Sequence, residues 1–95
     1  MAGYVIAEVE VRDPVLYEEY RKLVPATIAR YGGKYLARGG AIDVKEGNWQ
    51  PRRMVVLEFA SADQARKWYH SPEYTAAAAI RHKAADSRVL IVEGV

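Results

Sequence analysis

The chain contains no cysteine. It can therefore build no disulfide framework, no thiolate nucleophile and no cysteine-ligated metal site. It has only two histidines, His70 and His82, neither with a second histidine four residues away. A metal site within one subunit lacks its ligands on that spacing, so no metal is expected. The formal net charge is only +2, too small to argue for a nucleic acid or an anionic membrane as partner. No apolar run approaches the roughly 18–20 residues needed to span a bilayer. Met1-Ala2-Gly3-Tyr4 leads straight into a strand pattern and carries no signal-peptide pattern. A cytoplasmic location without membrane contact is the expectation. Also absent are a Gly-x-Ser-x-Gly elbow and a phosphate loop with its Gly-Lys-Ser/Thr ending. Nucleophilic hydrolysis has no visible apparatus, and no cofactor is expected.

What remains is the composition of an ordinary globular chain, 51% hydrophobic and 27% charged with only 4 prolines. Its 95 residues predict a single domain over 1–95. The organising stretch is Tyr31-Gly32-Gly33-Lys34-Tyr35-Leu36-Ala37-Arg38-Gly39-Gly40. The first glycine pair stops a helix, because glycine takes the left-handed conformation without a Cβ clash. The second falls in a strand pattern, where it suggests a bulge or bend.

Tyr4–Val11 alternates, with Val5, Ala7, Val9 and Val11 on one face and Tyr4, Ile6, Glu8 and Glu10 on the other. That is a strand with one apolar side. Asp13-Pro14 reads as an N-cap with proline at the first helical position. An apolar stripe from Leu16 to Tyr31 predicts a helix over about 14–31, kinked or divided at Pro25. A second strand is predicted over 34–44, its parity left open by Gly39-Gly40. Arg53–Phe59 forms the third, with Val55, Leu57 and Phe59 on one face and Met54, Val56 and Glu58 on the other. Ser61-Ala62-Asp63-Gln64 has capping-box form, and Ser71-Pro72-Glu73 restarts the helix into an alanine-rich segment ending near Ala85. Arg88–Glu93 is the last strand.

The order βαββαβ predicts an α+β, ferredoxin-like fold: a four-stranded antiparallel sheet with the helices on one face. The other face then carries Tyr4, Ile6, Glu8, Met54, Val56 and Glu58, with Leu36, Arg38, Leu90 and Val92. A largely apolar open face on a small domain points to a partner, most simply a second copy related by a two-fold axis.

The combination of the Tyr31–Gly40 stretch with Glu46-Gly47-Asn48-Trp49, Pro51-Arg52, Val56-Leu57-Glu58-Phe59, Ala65-Arg66-Lys67-Trp68-Tyr69, Ser71-Pro72-Glu73-Tyr74, Arg81 and Val92-Glu93-Gly94 resembles the domain of unknown function 1330 family, DUF1330. The resemblance covers nearly the whole chain. It implies a dimeric α/β barrel, in which two ferredoxin-like subunits meet face to face. It implies no reaction, since the wider superfamily hosts monooxygenases, isomerases, haem enzymes and regulatory domains.

Arg38 and Glu58 are the leading candidate pair. Sharing a half-buried space, they would bind a small acid or position a proton; the competing role is a structural ion pair. Glu8 has a weaker form of the same claim. Trp68 reads as core, whereas Tyr69 and Tyr74 can offer hydroxyls to a cleft. His70 is an acid–base candidate by residue type, set against an exposed surface histidine. Trp49, with Arg52 and Arg53, can cover a neighbouring subunit's cavity or simply pack on a solvated turn. The sequence favours a homodimer that binds a small organic molecule in a cleft near the sheet face. The alternative is a cofactor-independent monooxygenase- or isomerase-like enzyme, for which no catalytic set is recognisable. An RNA-binding module shares the topology, but central carboxylates and a scarcity of aromatics on the open face oppose it.

Overall fold

β1 (Gly3–Val11) is the spine of the sheet. It pairs antiparallel with β3 (Arg53–Phe59) on one side and β4 (Ala85–Glu93) on the other. β2 (Lys34–Arg38) adds to the outer edge of β3, giving the order β2-β3-β1-β4. The computed structural model describes all residues, 1–95. The period-2 pattern decides the faces, because Val5, Val9, Leu57 and Phe59 fall on one side and are all buried there. They lie under α1 (Pro14–Arg30), α2 (Ala62–Tyr69) and α3 (Pro72–Ala84). This is the predicted ferredoxin-like arrangement.

Local chemistry sets the helix boundaries. Asp13 Oδ1 accepts from the Leu16 amide at 3.1 Å, and Pro14 follows it; such a cap contributes about 1 kcal/mol. At the other end Gly32 has φ +76°. The Gly33 amide donates to the Ile28 carbonyl at 2.9 Å and the Gly32 amide to the Ala29 carbonyl at 3.1 Å, a Schellman closure. Pro25 lies inside α1 and does not divide it. Ser61 Oγ caps α2 by accepting from the Gln64 amide at 3.0 Å. The Gln64 side chain does not complete the capping box; its Nε2 donates to the Tyr31 carbonyl at 3.0 Å and ties α2 to the end of α1. Ser71 Oγ accepts from the Tyr74 amide and donates to the Trp68 carbonyl, which joins α2 to α3.

Trp68 is the centre of the core, 5.4 Å from the Phe59 ring and 4.0 Å from the Tyr74 ring, centroid to centroid. Its indole N–H donates to Thr27 Oγ1 at 3.0 Å, and Thr27 in turn donates to the Val24 carbonyl at 2.8 Å. The one polar edge of the indole is thereby satisfied inside an apolar setting.

Two boundaries differ from expectation. β4 starts at Ala85 rather than Arg88, directly where α3 stops. β2 ends at Arg38, and residues 39–52 form an irregular connection instead of extending the strand to Val44. The bulge also lies elsewhere than at Gly39-Gly40. Tyr35 pairs with Leu57 and Ala37 with Val56, so Leu36 is the extra residue. Arg38 then pairs with Val55, which turns it to the helix-covered face.

Candidate functional site

The helix-covered face of the sheet is sealed at its ends and open at its middle. Ala7, Val55 and Val89 lie in register across three strands, and all three are only half-buried. Above them is a cleft of about 50 Å³ between sheet and helices, against roughly 10–15 Å³ for a single water. Of its 17 lining residues 13 are hydrophobic, and the other four are arginines: Arg21, Arg38, Arg53 and Arg81.

Each arginine arrives there for a local reason. Arg53 shares the strand parity of Val55, Leu57 and Phe59. Arg81 continues the buried stripe Tyr74, Ala77, Ala78 of α3 at helical spacing. Arg21 follows Tyr20 on α1. Arg38 is turned inward by the bulge at Leu36. Gly39 contributes space: its φ is +69°, and a Cβ there would run into the Arg53 guanidinium.

The charges in the cleft are not balanced. Arg21 pairs with Glu18 at 3.1 Å, but Arg38, Arg53 and Arg81 make no ion pair in the protein. They lie beside aromatic rings instead. Arg38 is 4.6 Å from the Tyr35 centroid, Arg53 6.0 Å from Tyr17 and Arg81 6.0 Å from Tyr20, which supplies modest cation–π attraction. Arg81 is 3% exposed, and its Nε, like those of Arg21 and Arg53, is buried without an acceptor.

Tyr20 and Tyr74 share a hydrogen bond of 2.8 Å between their hydroxyls. Burial pushes the ionisation of both well above the ordinary tyrosine value, against the opposing pull of Arg81. Burial also raises Tyr35, in spite of Arg38 beside it. The pair thus stays neutral and has two protons, of which the shared bond uses one.

The structure separates the leading candidates. Arg38 and Glu58 are not in one space: Arg38 lines the cleft, while Glu58 lies on the open face and pairs with Lys34 at 3.2 Å. The reason is the bulge, which displaces parity by one residue before Arg38. Tyr74 lines the cleft from α3. Tyr69 packs against Trp68 and Tyr74 behind it. Glu8, on the open face, accepts from the Arg52 amide at 3.1 Å. It shares a polar groove with Glu10, Arg52 and Trp49, which is 55% exposed. His70 is an exposed C-cap residue stacked edge-on against Tyr69. The groove and His70 are outside the cleft.

Tyr17, Tyr20, Arg21 and Arg81 are not among the sequence candidates, and Arg53 enters there only with Trp49 and Arg52 as a cover for a neighbouring subunit's cavity, whereas it lines the cleft of its own chain. Arg53 was signalled by its parity with three apolar residues, and Arg81 by its i+7 spacing from Tyr74. For Arg38 the parity signal pointed to the wrong face. No helix is long and apolar enough to cross a membrane, and no cluster of histidine and carboxylate groups stands close enough to hold a metal ion.

The family described as "Domain of unknown function (DUF1330)" matches residues 2–95. No functionally curated protein matches the chain. Among solved structures, a protein of unknown function from Rhodopseudomonas palustris superposes with a TM-score of 0.73 at 19% identity, over 99% of this chain and 82% of that one. A dimeric ferredoxin-like protein of unknown function from Thermobifida fusca gives 0.67 at 22% identity, over 99% and 92%. SnoaB, a cofactor-independent oxygenase from Streptomyces nogalater, gives 0.65 at 14% identity, over 99% and 93%. These likenesses establish the shared ferredoxin-like fold.

Proposed function

The chain belongs to the DUF1330 family, and from that premise we propose that it is a homodimer that binds a small organic molecule in the cleft between helices and sheet. The observation that carries this reading is the lining of that cleft. A pocket of hydrophobic walls with a few convergent polar groups is the usual form of a small-molecule site. Here the walls are Ala7, Val55 and Val89 with the Tyr20–Tyr74 pair, and the polar groups are the arginines. Arg38 and Tyr74 are the proposed contacts that the sequence already singled out.

The homodimer is supported by the opposite face. Ile6, Val56 and Leu90 stand in one row across three strands, and Leu90 is 54% exposed. Val92 and Met54 extend the apolar surface. The carboxylates on this face have partners within the chain, Glu58 with Lys34 and Glu8 with the Arg52 amide. Two copies meeting there would bury no unmatched carboxylate from either position. Structural relatives from Thermobifida fusca and Bacteroides fragilis are described as dimeric.

Native mass spectrometry of freshly purified protein, compared with its denatured mass, tests both parts. The expected result is a dimer carrying additional small-molecule mass. A monomer at micromolar concentration would refute the dimer.

A second reading is a cofactor-independent oxygenase of the SnoaB type. It is favoured by the full-length fold match to that enzyme and by the aromatic, largely apolar cleft. Oxygen uptake with an electron-rich aromatic substrate, lost when Ala7→Trp fills the cleft, is the result that would establish it.

A further inference from the structure

Three of the four cleft arginines, Arg38, Arg53 and Arg81, lack a counter-charge. Thirteen of the seventeen lining residues are hydrophobic and none is acidic. Only Arg21 has a carboxylate partner, and that bond leads away from the cleft to Glu18. Arg81 is almost wholly buried, and its Nε has no acceptor. Buried cations are ordinarily paired, because removing a charge from water is expensive without a partner. The tyrosines cannot serve as that partner. Burial holds Tyr20 and Tyr74 in the neutral form, and one of their protons remains free to donate. The guanidinium forks only donate, and the neutral hydroxyls, whose oxygens can also accept, supply no negative charge to balance them.

We infer that the ligand of this cleft is an organic anion, a carboxylate or similarly compact oxyanion on a small planar apolar body. This rests on the reading of the cleft as a small-molecule site. Arg81 and Arg53 hold the anionic head from α3 and β3, since both carry an unsatisfied buried Nε. Arg38, exposed on the short edge strand β2, stands at the mouth and draws the anion in. The Tyr20–Tyr74 pair donates its free proton to the same head. The apolar body lies on Ala7, Val55 and Val89. Bidentate guanidinium–carboxylate geometry gives orientation as well as affinity.

The test is titration of the isotope-labelled full chain with benzoate, with its neutral isostere benzamide, and with sulfate, followed by amide and indole resonances. Benzoate should shift Trp68, Ala7 and Val55 and bind at least about tenfold more tightly than benzamide or sulfate. Arg53→Gln and Arg81→Gln should each weaken benzoate by about tenfold or more, with Arg81→Lys retaining part of the affinity. Lys67→Gln, at an exposed position of α2 outside the cleft, should leave it unchanged. Intact spectra establish that each variant is folded. Benzamide bound in the cleft as tightly as benzoate would leave a small-molecule site and overturn its anionic character. Sulfate bound as tightly would overturn the organic body. No cleft resonance shifted by any of the three would overturn the cleft reading itself.

Discussion

Replacing Arg81 by methionine should make the protein more stable. Arg81 is 3% exposed, forms no ion pair, and has an Nε without an acceptor. Its one polar side-chain contact is Nη2 with His82 Nε2 at 3.2 Å. An unsatisfied buried donor costs about 1–3 kcal/mol, and more when it is charged. Against this, Arg81 is in the last turn of α3, where a cation gains about 0.3–1 kcal/mol from the helix dipole. Methionine keeps the unbranched stem and most of the packing while removing the charge. The balance is a gain of roughly 0.5–2 kcal/mol. For a chain of this size about 1 kcal/mol moves Tm by about 4–8 °C. Urea is the appropriate denaturant because it is uncharged, and low salt keeps competing anions out of the cleft. Protein concentration must be held constant, since the proposed dimerisation would couple stability to it. A loss of stability by more than about 1 kcal/mol, in protein shown by native mass to be ligand-free, would refute the reasoning. It would mean that the fold itself satisfies this guanidinium, and the case for an anion would weaken with it.

Three further outcomes are expected. The neutral Tyr20 in the fold, against an unfolded tyrosine that ionises near pH 10, gives a stability contribution present in full below about pH 10 and lost as pH rises from there toward the higher folded value. The unfolding free energy from urea titrations should therefore fall above pH 10 by about 1.4 kcal/mol per pH unit for this hydroxyl, and Tyr20→Phe should flatten that slope; an unchanged slope would remove the burial argument. Val56→Asp should convert the dimer to monomer in light scattering by placing an unpaired charge between two sheets; an intact dimer would move the interface to another face. Gly39→Ala should destabilise by about 1 kcal/mol, because φ is +69° there. It should also weaken benzoate binding, because the new Cβ displaces the Arg53 guanidinium; unchanged affinity would detach Arg53 from the ligand.

Much of the fold was legible because its signals are local. Asp13-Pro14, Ser61 and Ser71 act as caps where their types and positions indicated, and Gly32 closes α1 with the left-handed backbone that its pair suggested. The alternation of Val5, Val9, Leu57 and Phe59 named the buried sheet face correctly. The cleft was less legible, for two physical reasons. A charged residue at a buried parity reads as a strand end, so Arg53 was grouped with its hairpin and not with Val55. Parity also depends on an unbroken pleat, and β2 breaks it at Leu36. Nothing in the types of Leu36 and Ala37 marks that break, whereas Gly39-Gly40 advertised one that lies elsewhere. Pro25 predicts a kink or a division of α1, but the helix runs through it undivided, and the packing of Tyr20, Val24, Thr27 and Ile28 on both sides of it holds the helix together.

The bulge in β2 has a consequence for reading relatives of this chain. Lys34 and Tyr35 face Glu58 and Leu57, and Ala37 and Arg38 face Val56 and Val55, as they would in a straight strand one residue shorter. Leu36 is therefore a spare position: its deletion would leave every neighbour opposite the same partner. Relatives with a gap there can keep the same cleft, and relatives with a matching length but a straight edge strand cannot. An alignment that scores by residue type alone will equate Arg38 with the wrong column in one of those two groups. Chain length between the tyrosine and the arginine, more than the identity of either, then decides whether the arginine faces the helix-covered cleft or the open face of the sheet.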